Sequence, residues 1–446
     1  MFKTFRRGGV HPNPEKLTRD SEIVSVPVAG VLYLSMNQSI GAPAKPCVKA
    51  GDVVEAGQKI AEAGGFVSAN VHSPVAGTVR KVETIRNAAG FWVEAVSIEP
   101  SESGVPLPLP DETLDSALFA DAMKLEPEEI TARVREAGIV GLGGAAFPTS
   151  VKLSIPEGKS ADTFLLNGAE CEPYLTCDDA LMRRWAPQIL AGALLMARAV
   201  GATRVLVGVE ANKPEAISAL EKAARTMPSP VGVVRLKTKY PQGSEKQLIE
   251  AMTGRIVPAG GLPVDAHVVV DNVATAFAAY EAVCLGLPLT RRVVTVTGME
   301  MKNRGNFLAP LGTPIESLAE AGGGLPQEGP VKVLAGGPMM GQAVAVLSAP
   351  TVKANGGVTV LAGMDILRRV EENCIRCARC VDACPMGLQP HLIATLGKLR
   401  LAPEAKDEGI MNCLECGCCS YVCPSWRHLV DYIRIGKTLI RKELKR

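Results

Sequence analysis

Hydrophobic and polar positions follow different patterns in successive parts of the chain. From Ile23 to about Pro100, short valine-rich runs are separated by turn residues about every eight to twelve positions, which predicts an all-β unit over residues 26–100. Farther on, E-E-I-T-A-R-V-R-E-A-G has the period of an amphipathic helix, and V-G-V-E-A-N-K-P-E-A-I predicts a strand that runs into a helix. Strands that alternate with helices are typical of an α/β sheet, so we expect an α/β domain over residues 126–290.

The last third of the chain predicts two smaller units. The pattern of R-R-V-V-T-V-T-G, followed by G-T-P-I-E-S-L-A-E-A-G-G-G, predicts a strand and a helix in a module at residues 291–350. A helix-like stretch, P-H-L-I-A-T-L-G-K-L-R-L-A, and a basic amphipathic tail belong to a final unit over residues 351–446. The tail fits an anionic membrane or a partner helix as well as it fits a helix packed on its own domain.

Two segments are rich in residues that interrupt regular structure. G-G-V-H-P-N-P predicts an irregular arm over residues 1–25, and P-L-P-L-P-D-E-T predicts a linker over residues 101–125. The phenylalanines and arginines of the arm could press on a membrane surface or a partner. An arm folded over its own domain is the favoured interpretation.

Within the all-β unit, residues 48–65 and 71–82 resemble the two halves of the hammerhead fold of biotinyl and lipoyl carrier domains. The glycines assigned to turns are Gly51, Gly57 and Gly77, and the residues assigned to the strand interior are Val53, Val54 and Ile60. The segment between the halves, F-V-S-A-N, lacks the lysine that carries the cofactor in carrier domains. The resemblance therefore implies a barrel-sandwich hybrid without a covalent arm, used for structure or docking.

Composition narrows the function classes. The chain has 446 residues, 47% of them hydrophobic and 21% charged, so it can build a sizeable core. Its 48 basic and 46 acidic residues nearly cancel and aromatic residues make up only 4%, which argues against nucleic acid as the main partner. The first residues lack the apolar segment of a signal peptide, and no apolar run is long enough to span a membrane.

Nine of the thirteen cysteines lie between positions 374 and 423, which indicates metal binding in a reducing compartment. They form two runs, C-I-R-C-A-R-C-V-D-A-C-P and C-L-E-C-G-C-C-S-Y-V-C-P, with the C-x2-C-x2-C-x3-C-P spacing of bacterial ferredoxins. The fourth cysteine of each run ligates the other cluster. Disulfides or zinc sites are the disfavoured alternatives.

The runs therefore predict two 4Fe-4S clusters with ligands from both runs. Cluster one would be held by Cys374, Cys377, Cys380 and Cys423, and cluster two by Cys413, Cys416, Cys419 and Cys384. Cys418 does not fit the spacing, so we expect it to be unliganded. The C-terminal unit carries electrons.

A second informative stretch is glycine-rich: G-I-V-G-L-G-G-A-A-F-P-T-S-V-K, residues 138–152. Its glycines would let backbone N–H groups approach a phosphate closely, and Lys152 would add a cation. The spacing matches neither a Walker A loop nor a dinucleotide fingerprint. A phosphate-binding loop is favoured over a plain flexible loop.

This stretch resembles the flavin mononucleotide (FMN) loop of the flavin-bearing subunit of respiratory NADH dehydrogenase. L-L-N-G-A-E-C-E-P-Y-L-T resembles that family's strand ending in N-A-D-E-x-E-P, Y-P-Q-G-S-E resembles Y-x-x-G-E-E, and D-N-V-A-T resembles N-N-V-E-T. Ala169 and Ser244 depart from the family pattern. The resemblance implies that FMN is bound by Gly141, Gly143, Gly144, Phe147, Lys152, Asn167, Glu170, Gly243, Asn272 and Thr275. It implies that Glu172 and Glu245 serve the NADH side.

The whole order resembles the C subunits of Rnf ion-translocating electron-transport complexes. This family combines a barrel-sandwich hybrid, a Rossmann-like flavin domain, a β-grasp module of the SLBB type and a helical two-cluster ferredoxin-type domain. The resemblance implies hydride exchange between NADH and FMN, with single electrons passing through the clusters to other subunits of a membrane-bound complex.

Those subunits would include an iron–sulfur protein, and ferredoxin would be an indirect partner. The resemblance places the chain peripherally on the cytoplasmic face of the inner membrane. An NADH-dependent flavin and iron–sulfur reductase of the cobalamin-reductase type, and a non-catalytic iron–sulfur docking scaffold, are the alternatives.

Overall fold

The computed structural model describes residues 2–28, 30–102, 104–363, 366 and 370–443. After one short strand, the front of the chain forms two small antiparallel sheets. The strands are β1 Ile23–Ser25, β2 Leu32–Ser35, β3 Lys45–Pro46, β4 Val53–Val54, β5 Lys59–Glu62, β6 Val71–His72, β7 Gly77–Arg86 and β8 Trp92–Pro100. One sheet has the order β2-β8-β7-β4 and the other β3-β5-β6. We call β2 to β8 the hybrid unit, and its core includes the fully buried Leu34, Ile60 and Ile98.

Two residue assignments in the hybrid unit are wrong. Val53 is 74% exposed, because side chains alternate along a strand and only Val54 of this pair faces the core. Gly77 does not serve a turn: it begins β7, where a Cβ would lie 2.3 Å from the carbonyl oxygen of Glu99. Gly51 and Gly57 have φ of +88° and +83°, as turn glycines do.

The proline-rich segment between residues 101 and 125 is packed against the molecule and contains a helix, α1 Ser116–Ala122. Its backbone carbonyl oxygens accept hydrogen bonds from the next unit. Trp185 Nε1 donates to Pro110 at 3.3 Å, and Gln188 Nε2 donates to Asp111 at 2.6 Å. The expectation of a plain linker is therefore incorrect.

A parallel sheet with helices on both faces forms the centre of the chain, here called the α/β unit. Its elements are α2 Pro127–Glu136, α3 Thr149–Leu153, β9 Thr163–Gly168, α4 Cys177–Ala199, β10 Arg204–Glu210, α5 Pro214–Ala224, β11 Val231–Leu236, α6 Glu245–Thr253, β12 Val268–Asn272 and α7 Val273–Leu285. The strand order is β11-β10-β9-β12. Helices α4 and α7 cross closely because Gly192 has no side chain: a Cβ there would lie 1.8 Å from the Ala276 carbonyl oxygen.

A six-stranded mixed sheet follows, here called the mixed-sheet unit. Its further elements are β13 Arg291–Thr297, β14 Gly305–Pro310, α8 Ile315–Ala321, β15 Val331–Ala335, β16 Gln342–Ala343 and β17 Gly357–Ala362. The order is β1-β14-β13-β17-β15-β16, so the arm contributes one edge strand. Strand β17 pairs with β13 and β15, so this sheet extends past residue 350, where the sequence analysis ended the module.

The C-terminal part is helical, here called the cluster unit. Its helices are α9 Arg379–Asp382, α10 Pro390–Lys398, α11 Ala402–Asp407, α12 Cys418–Tyr421 and α13 Leu429–Glu443. The tail helix α13 packs back onto α10, where Gly436 and Gly397 allow close approach: a Cβ on Gly436 would lie 3.1 Å from Gly397 Cα. The last three positions of the basic tail lie outside the described residues.

The N-terminal arm is folded over its own molecule. Lys3 N–H donates to Arg235 at the β11 edge at 3.0 Å, and Phe5 is 1% exposed. The half-buried Lys16 donates to the α/β unit, and β1 pairs in parallel with β14. The arm therefore contacts the α/β unit and the mixed-sheet unit along its length.

Candidate functional site

The residues proposed for flavin binding meet at the carboxyl edge of the parallel sheet. Strand β9 lies between β10 and β12, and Asn167 is in register with Asn272 across the β9–β12 pair. The chain first builds outward through β10 and β11 and then returns to the other side of β9. Ligands of open α/β sheets bind outside the strand ends at such a switch point. Asn167 and Asn272 therefore mark the candidate site.

The glycine-rich loop closes over this edge. Gly141 N–H donates to the Phe147 carbonyl at 2.8 Å, and Ala146 N–H donates back to the Gly141 carbonyl at 3.1 Å. Leu142 N–H donates to Thr275 Oγ1 at 2.9 Å, which fixes the loop to the first turn of α7. Thr275 is fully buried, and its hydroxyl holds the glycine-rich loop in place.

The tip of the loop presents bare backbone to the crevice. Gly143 and Gly144 are exposed, and Gly144 has φ of +107°, a value that favours glycine. A Cβ on Gly143 would lie 3.5 Å from the Asn272 Cβ. A flat or anionic group can therefore approach the backbone N–H groups here, as the phosphate of FMN requires.

Lys152 lies beneath the loop on α3. Its Nζ donates to the Val270 carbonyl at 2.9 Å and lies 3.4 Å from Glu245 Oε1. Burial alone would lower the pKa of Lys152, but Asp271 and Glu245 together raise it, so the ammonium stays charged. Oδ2 of Asp271 is buried without a hydrogen-bond partner in the described part of the chain. A charged lysine beside an unsatisfied oxygen fits a polar ligand at this edge.

Glu170 and Asn272 connect the site to a buried acidic pair. The Glu170 carboxylate accepts from the N–H groups of Asp178 at 2.7 Å and Asp179 at 3.3 Å, at the start of α4. Asn272 Nδ2 donates to Asp178 Oδ2 at 2.7 Å. Burial and the neighbouring Glu170 raise the pKa of Asp178 to about 7. Glu170 therefore caps a helix, and its own φ of +47° lies in the left-handed region.

The loop after β9 is held by the half-buried Lys16 and the buried Lys213, neither of which was predicted from the sequence. Lys16 Nζ donates to the carbonyls of Glu170, Glu172 and Leu175 at 2.8, 3.0 and 2.6 Å. Lys213 Nζ donates to the Ala169 carbonyl at 2.7 Å. No local signal identifies Lys16, because its partners lie more than 150 positions away.

Of the two residues expected on the NADH side, Glu172 is engaged by the mixed-sheet unit. Its Oε1 accepts from the N–H groups of Met339 at 2.6 Å and Met340 at 3.0 Å. A Cβ on Gly337 would lie 2.2 Å from Glu172 Cγ, so the G-G-P-M-M-G turn fits against this side chain. Burial raises the pKa of Glu172.

Glu245 and Gly243 lie at the start of α6, on the same edge as Asn167. Asn167 Nδ2 donates to the Gly243 carbonyl at 2.7 Å, and a Cβ on Gly243 would lie 3.3 Å from the Ala169 Cβ. Glu245 pairs with Lys152, as described above. Ala169 and Ser244, which depart from the family pattern, therefore lie next to the hydrogen bond between Asn167 and Gly243.

The ligands assigned to cluster two line one cavity. Cys384, Cys413, Cys416 and Cys419 surround it together with apolar residues that include Leu388 and Ile393. Burial, and then the thiols of Cys413, Cys416 and Cys384, raise the pKa of Cys419, so these sulfurs lie close together. Buried thiolates require a cationic partner, and an iron–sulfur cluster supplies one.

The ligands assigned to cluster one also come from both runs. Burial and Cys423 raise the pKa of Cys380, and Cys423 packs against the apolar cluster that contains Cys380, so the fourth cysteine of the second run lies beside the first run. Cys374 and Cys377 are exposed.

Both cysteine runs share one backbone geometry. The residues directly before and after the second cysteine are left-handed: Arg376 and Ala378 have φ of +57° and +60°, and Glu415 and Gly417 have φ of +58° and +81°. Non-glycine residues adopt this conformation only where the surroundings impose it. The repeated geometry fits two equivalent cluster loops.

Tyr240 connects the flavin edge with cluster two. Its side chain is 2% exposed, and its hydroxyl donates to the Cys416 carbonyl at 2.8 Å. Cys418, the extra thiol, lies in the same apolar cluster, and its hydrogen bond to Cys416 lowers the pKa of Cys416. The residues assigned to cluster two therefore include Cys416, which lies against the α/β unit.

Comparison with known protein families divides the chain in the same way. Family models match an RnfC barrel-sandwich hybrid domain at residues 3–103, the Nuo51 FMN-binding domain at 134–281, an SLBB domain at 293–343 and a 4Fe-4S dicluster domain at 366–424. The fold and the site thus define a flavin- and iron–sulfur-containing electron-transfer protein.

Curated relatives resemble the chain over nearly its whole length. It is 42% identical over 441 residues to the C subunit of the proton-translocating ferredoxin:NAD(+) oxidoreductase complex of Clostridium ljungdahlii, covering 98% of this chain and 94% of the relative. The Na(+)-translocating counterpart of Acetobacterium woodii is also 42% identical, with coverage of 97% and 96%. The chain belongs to the family of C subunits of Rnf-type ion-translocating oxidoreductase complexes.

A solved structure supports the fold. An NAD+-reducing nickel–iron hydrogenase in the H2-reduced state matches with a TM-score of 0.52 and 21% identity, over 73% of this chain and 65% of that one. The chain thus spans less than two thirds of the hydrogenase chain. In the described part of the chain no helix combines the length and apolarity needed to cross a membrane.

Proposed function

We propose that this chain is the electron-input and electron-output subunit of an Rnf-type complex, exchanging hydride between NADH and FMN. When bound, FMN links two-electron hydride chemistry to one-electron clusters. The exposed backbone of Gly143 and Gly144 and the charge of Lys152 would hold the flavin phosphate. Asn167 and Asn272 would position the ring at the switch point. Glu245 would lie on the NADH side.

The observation that carries this proposal is the short connection between the two candidate cofactor sites. Gly243 contacts Asn167 at the flavin edge, and three residues earlier Tyr240 donates to the Cys416 carbonyl of cluster two. The four-residue segment from Tyr240 to Gly243 therefore touches both sites. Two hydrogen bonds thus connect Asn167, a candidate flavin-binding residue, with the backbone of Cys416, a candidate cluster ligand, through this segment.

The burial of the ligands suggests an order for the clusters. Among the residues assigned to cluster two, Cys416 is buried against the α/β unit, whereas Cys374 and Cys377, assigned to cluster one, are exposed. Ile375, between these two cysteines, is 67% exposed. We infer that cluster two exchanges electrons with the flavin and that cluster one faces an iron–sulfur subunit, with ferredoxin acting indirectly.

The relatives support a place for this chain in a membrane complex. Their names describe subunits of ion-translocating complexes, one of which moves Na+ and another protons. Ion transport would belong to other subunits, and this chain would bind them peripherally at the cytoplasmic face of the inner membrane.

Replacement of Lys152 by alanine tests the flavin site. Lys152→Ala should lower the FMN content of the purified chain and leave about eight irons per chain, because the cluster loops do not depend on this lysine. Lys159→Ala is the matched control, since Lys159 pairs with Asp265 at the surface, at 2.6 Å. Equal FMN content in Lys152→Ala and the unaltered protein would contradict the assignment.

A further inference from the structure

Gly8 and Gly9 of the arm contact the backbone around Cys384, a residue assigned to cluster two, and the flavin and cluster motifs do not explain this contact. Gly8 has φ of +63°, and a Cβ there would lie 2.5 Å from both the carbonyl carbon and oxygen of Cys384. Gly9 N–H donates to the Ala383 carbonyl at 2.9 Å. The Gly8–Gly9 pair therefore packs directly on the backbone of a predicted cluster-two ligand, where a side chain cannot fit.

The next residue of the arm, Val10, contacts the α/β unit at Tyr240. Val10 exchanges two backbone hydrogen bonds with Tyr240, at 2.8 and 2.9 Å. Tyr240 in turn donates to the carbonyl of Cys416, a second predicted ligand. Three consecutive residues, Gly8 to Val10, thus join Cys384 from the first run, Cys416 from the second run and the α/β unit.

Arg7 places a positive charge against the turn that follows Cys384. A Cβ on Gly387 would lie 2.2 Å from Arg7 Nη1 and 2.3 Å from Arg7 Cζ, so the guanidinium lies directly on this glycine. Gly387 belongs to the turn after Cys384, and Leu388 N–H in that turn donates to Cys384 Sγ at 3.4 Å. The side chain of Arg7 is exposed, but its charge lies against the outer face of the loop that surrounds the Cys384 sulfur.

We propose that Gly8 and Arg7 are positioning residues of cluster two, holding Cys384 against the α/β unit and setting the cluster's reduction potential. The inference rests on the proposed function. Reduction adds one electron to the cluster and leaves every bond to the cysteine sulfurs in place. A nearby positive charge stabilises the reduced form, because it lowers the energy of added negative charge. Gly8 keeps the Cys384 backbone close to Tyr240 and so to the flavin edge.

Two variants with matched controls test this inference in the full-length protein. Arg7→Gln removes the charge, and Arg6→Gln is its control, because the Arg6 side chain is exposed. Gly8→Ala places a methyl group against Cys384. Gly51→Ala is its control, because Gly51 has a similar φ of +88° and, among the described residues, nothing within 4 Å of a Cβ.

The readouts are the midpoint potentials of the two clusters, from redox titration followed by electron paramagnetic resonance, and the rate of cluster reduction after the flavin is reduced. In Arg7→Gln one midpoint potential should fall while the other stays unchanged, and Arg6→Gln should alter neither. In Gly8→Ala cluster reduction should slow at least several-fold, with FMN content retained, and Gly51→Ala should behave as the unaltered protein.

Two results together overturn the inference. The first is that Arg7→Gln leaves both potentials unchanged or shifts them as Arg6→Gln does. The second is that the clusters of Gly8→Ala are reduced at the rate of the unaltered protein. If the unaltered protein binds FMN and iron but NADH reduces neither, the proposed function fails instead. The two failures are therefore distinguishable in one set of measurements.

Discussion

Lys353 makes a testable link between pH and stability. The side chain is fully buried where the hybrid, α/β and mixed-sheet units meet, and its Nζ donates to the carbonyls of Asn70 and Gly138, each at 2.7 Å. Its backbone N–H donates to Gln38 Oε1 at 2.9 Å. Among the described residues no carboxylate pairs with the ammonium, and burial lowers the pKa of Lys353 to about 7.

The direction in which stability changes with pH follows from the pKa of Lys353 in the folded and the unfolded chain. The pKa of an unfolded lysine is 10.5, well above the folded value. As pH falls from 10.5 toward 7, the unfolded chain takes up a proton that the folded chain does not, so stability decreases. Below about 7 both states bind the proton and the effect is constant. The free energy of unfolding should therefore rise by about 2 kcal/mol between pH 7 and pH 9.

Lys353→Met isolates this effect. Methionine fills most of the space but cannot titrate, so the variant should lack the rise that the unaltered protein shows between pH 7 and 9. Urea denaturation followed by tryptophan fluorescence at pH 7, 8 and 9 measures it. Lys332→Met, on an exposed position of β15, is the control and should keep the full pH dependence. His72 does not interfere, because burial lowers its pKa to about 3, outside the window.

The reasoning is refuted if Lys353→Met and the unaltered protein gain the same stability between pH 7 and pH 9. That result would mean that Lys353 titrates alike in the folded and unfolded states. The absolute stability of the variant does not decide the question, because the substitution also leaves two carbonyl groups without their donor.

Three further changes have defined outcomes. Cys384→Ser and Cys423→Ser should each lower the iron content from about eight to about four atoms per chain, because each residue is assigned to one cluster. The FMN content should be retained. A loss of all iron in both variants would contradict the ligand sets. Gly192→Ala should destabilise the chain by about 1–3 kcal/mol in urea denaturation, since its methyl group would overlap a carbonyl of the facing helix, and unchanged stability would contradict that packing. Arg291→Met should lower the free energy of unfolding by about 3–5 kcal/mol in the same assay, because it leaves Glu281 buried without its partner. A decrease no larger than that caused by replacing an exposed arginine with methionine would refute this.

The grouping of the cysteines could be predicted from sequence because its signal is local. A fixed spacing fixes which sulfurs reach one cube, and the structure brings Cys384 into the cavity of the second run. The positions of Asn167 and Asn272 at neighbouring strand ends were predictable for a similar reason, since each follows a buried run that reads as a strand. The family models and relatives confirm the predicted family and cofactors.

Contacts between distant segments could not be predicted. Lys353, Lys16 and Arg7 act on carbonyl groups or glycines far away along the chain, and nothing in their immediate sequence indicates those partners. Strand β17 joins its sheet across the predicted boundary at residue 350, because parallel pairing with β13 depends on tertiary packing. The carboxylate of Glu172 has two backbone donors in a turn that follows it by about 165 positions, a contact that only the folded chain creates.

We propose that NADH delivers electrons to the clusters of this chain through a flavin at the carboxyl ends of β9 and β12. The most direct test is an anaerobic titration of the purified full-length protein with NADH, following the absorbance of flavin and clusters after FMN and iron have been assayed. We expect one FMN and about eight irons per chain, with both chromophores bleached by NADH. Iron without FMN, and no response to NADH, would contradict the account and leave an iron–sulfur docking scaffold as the better description.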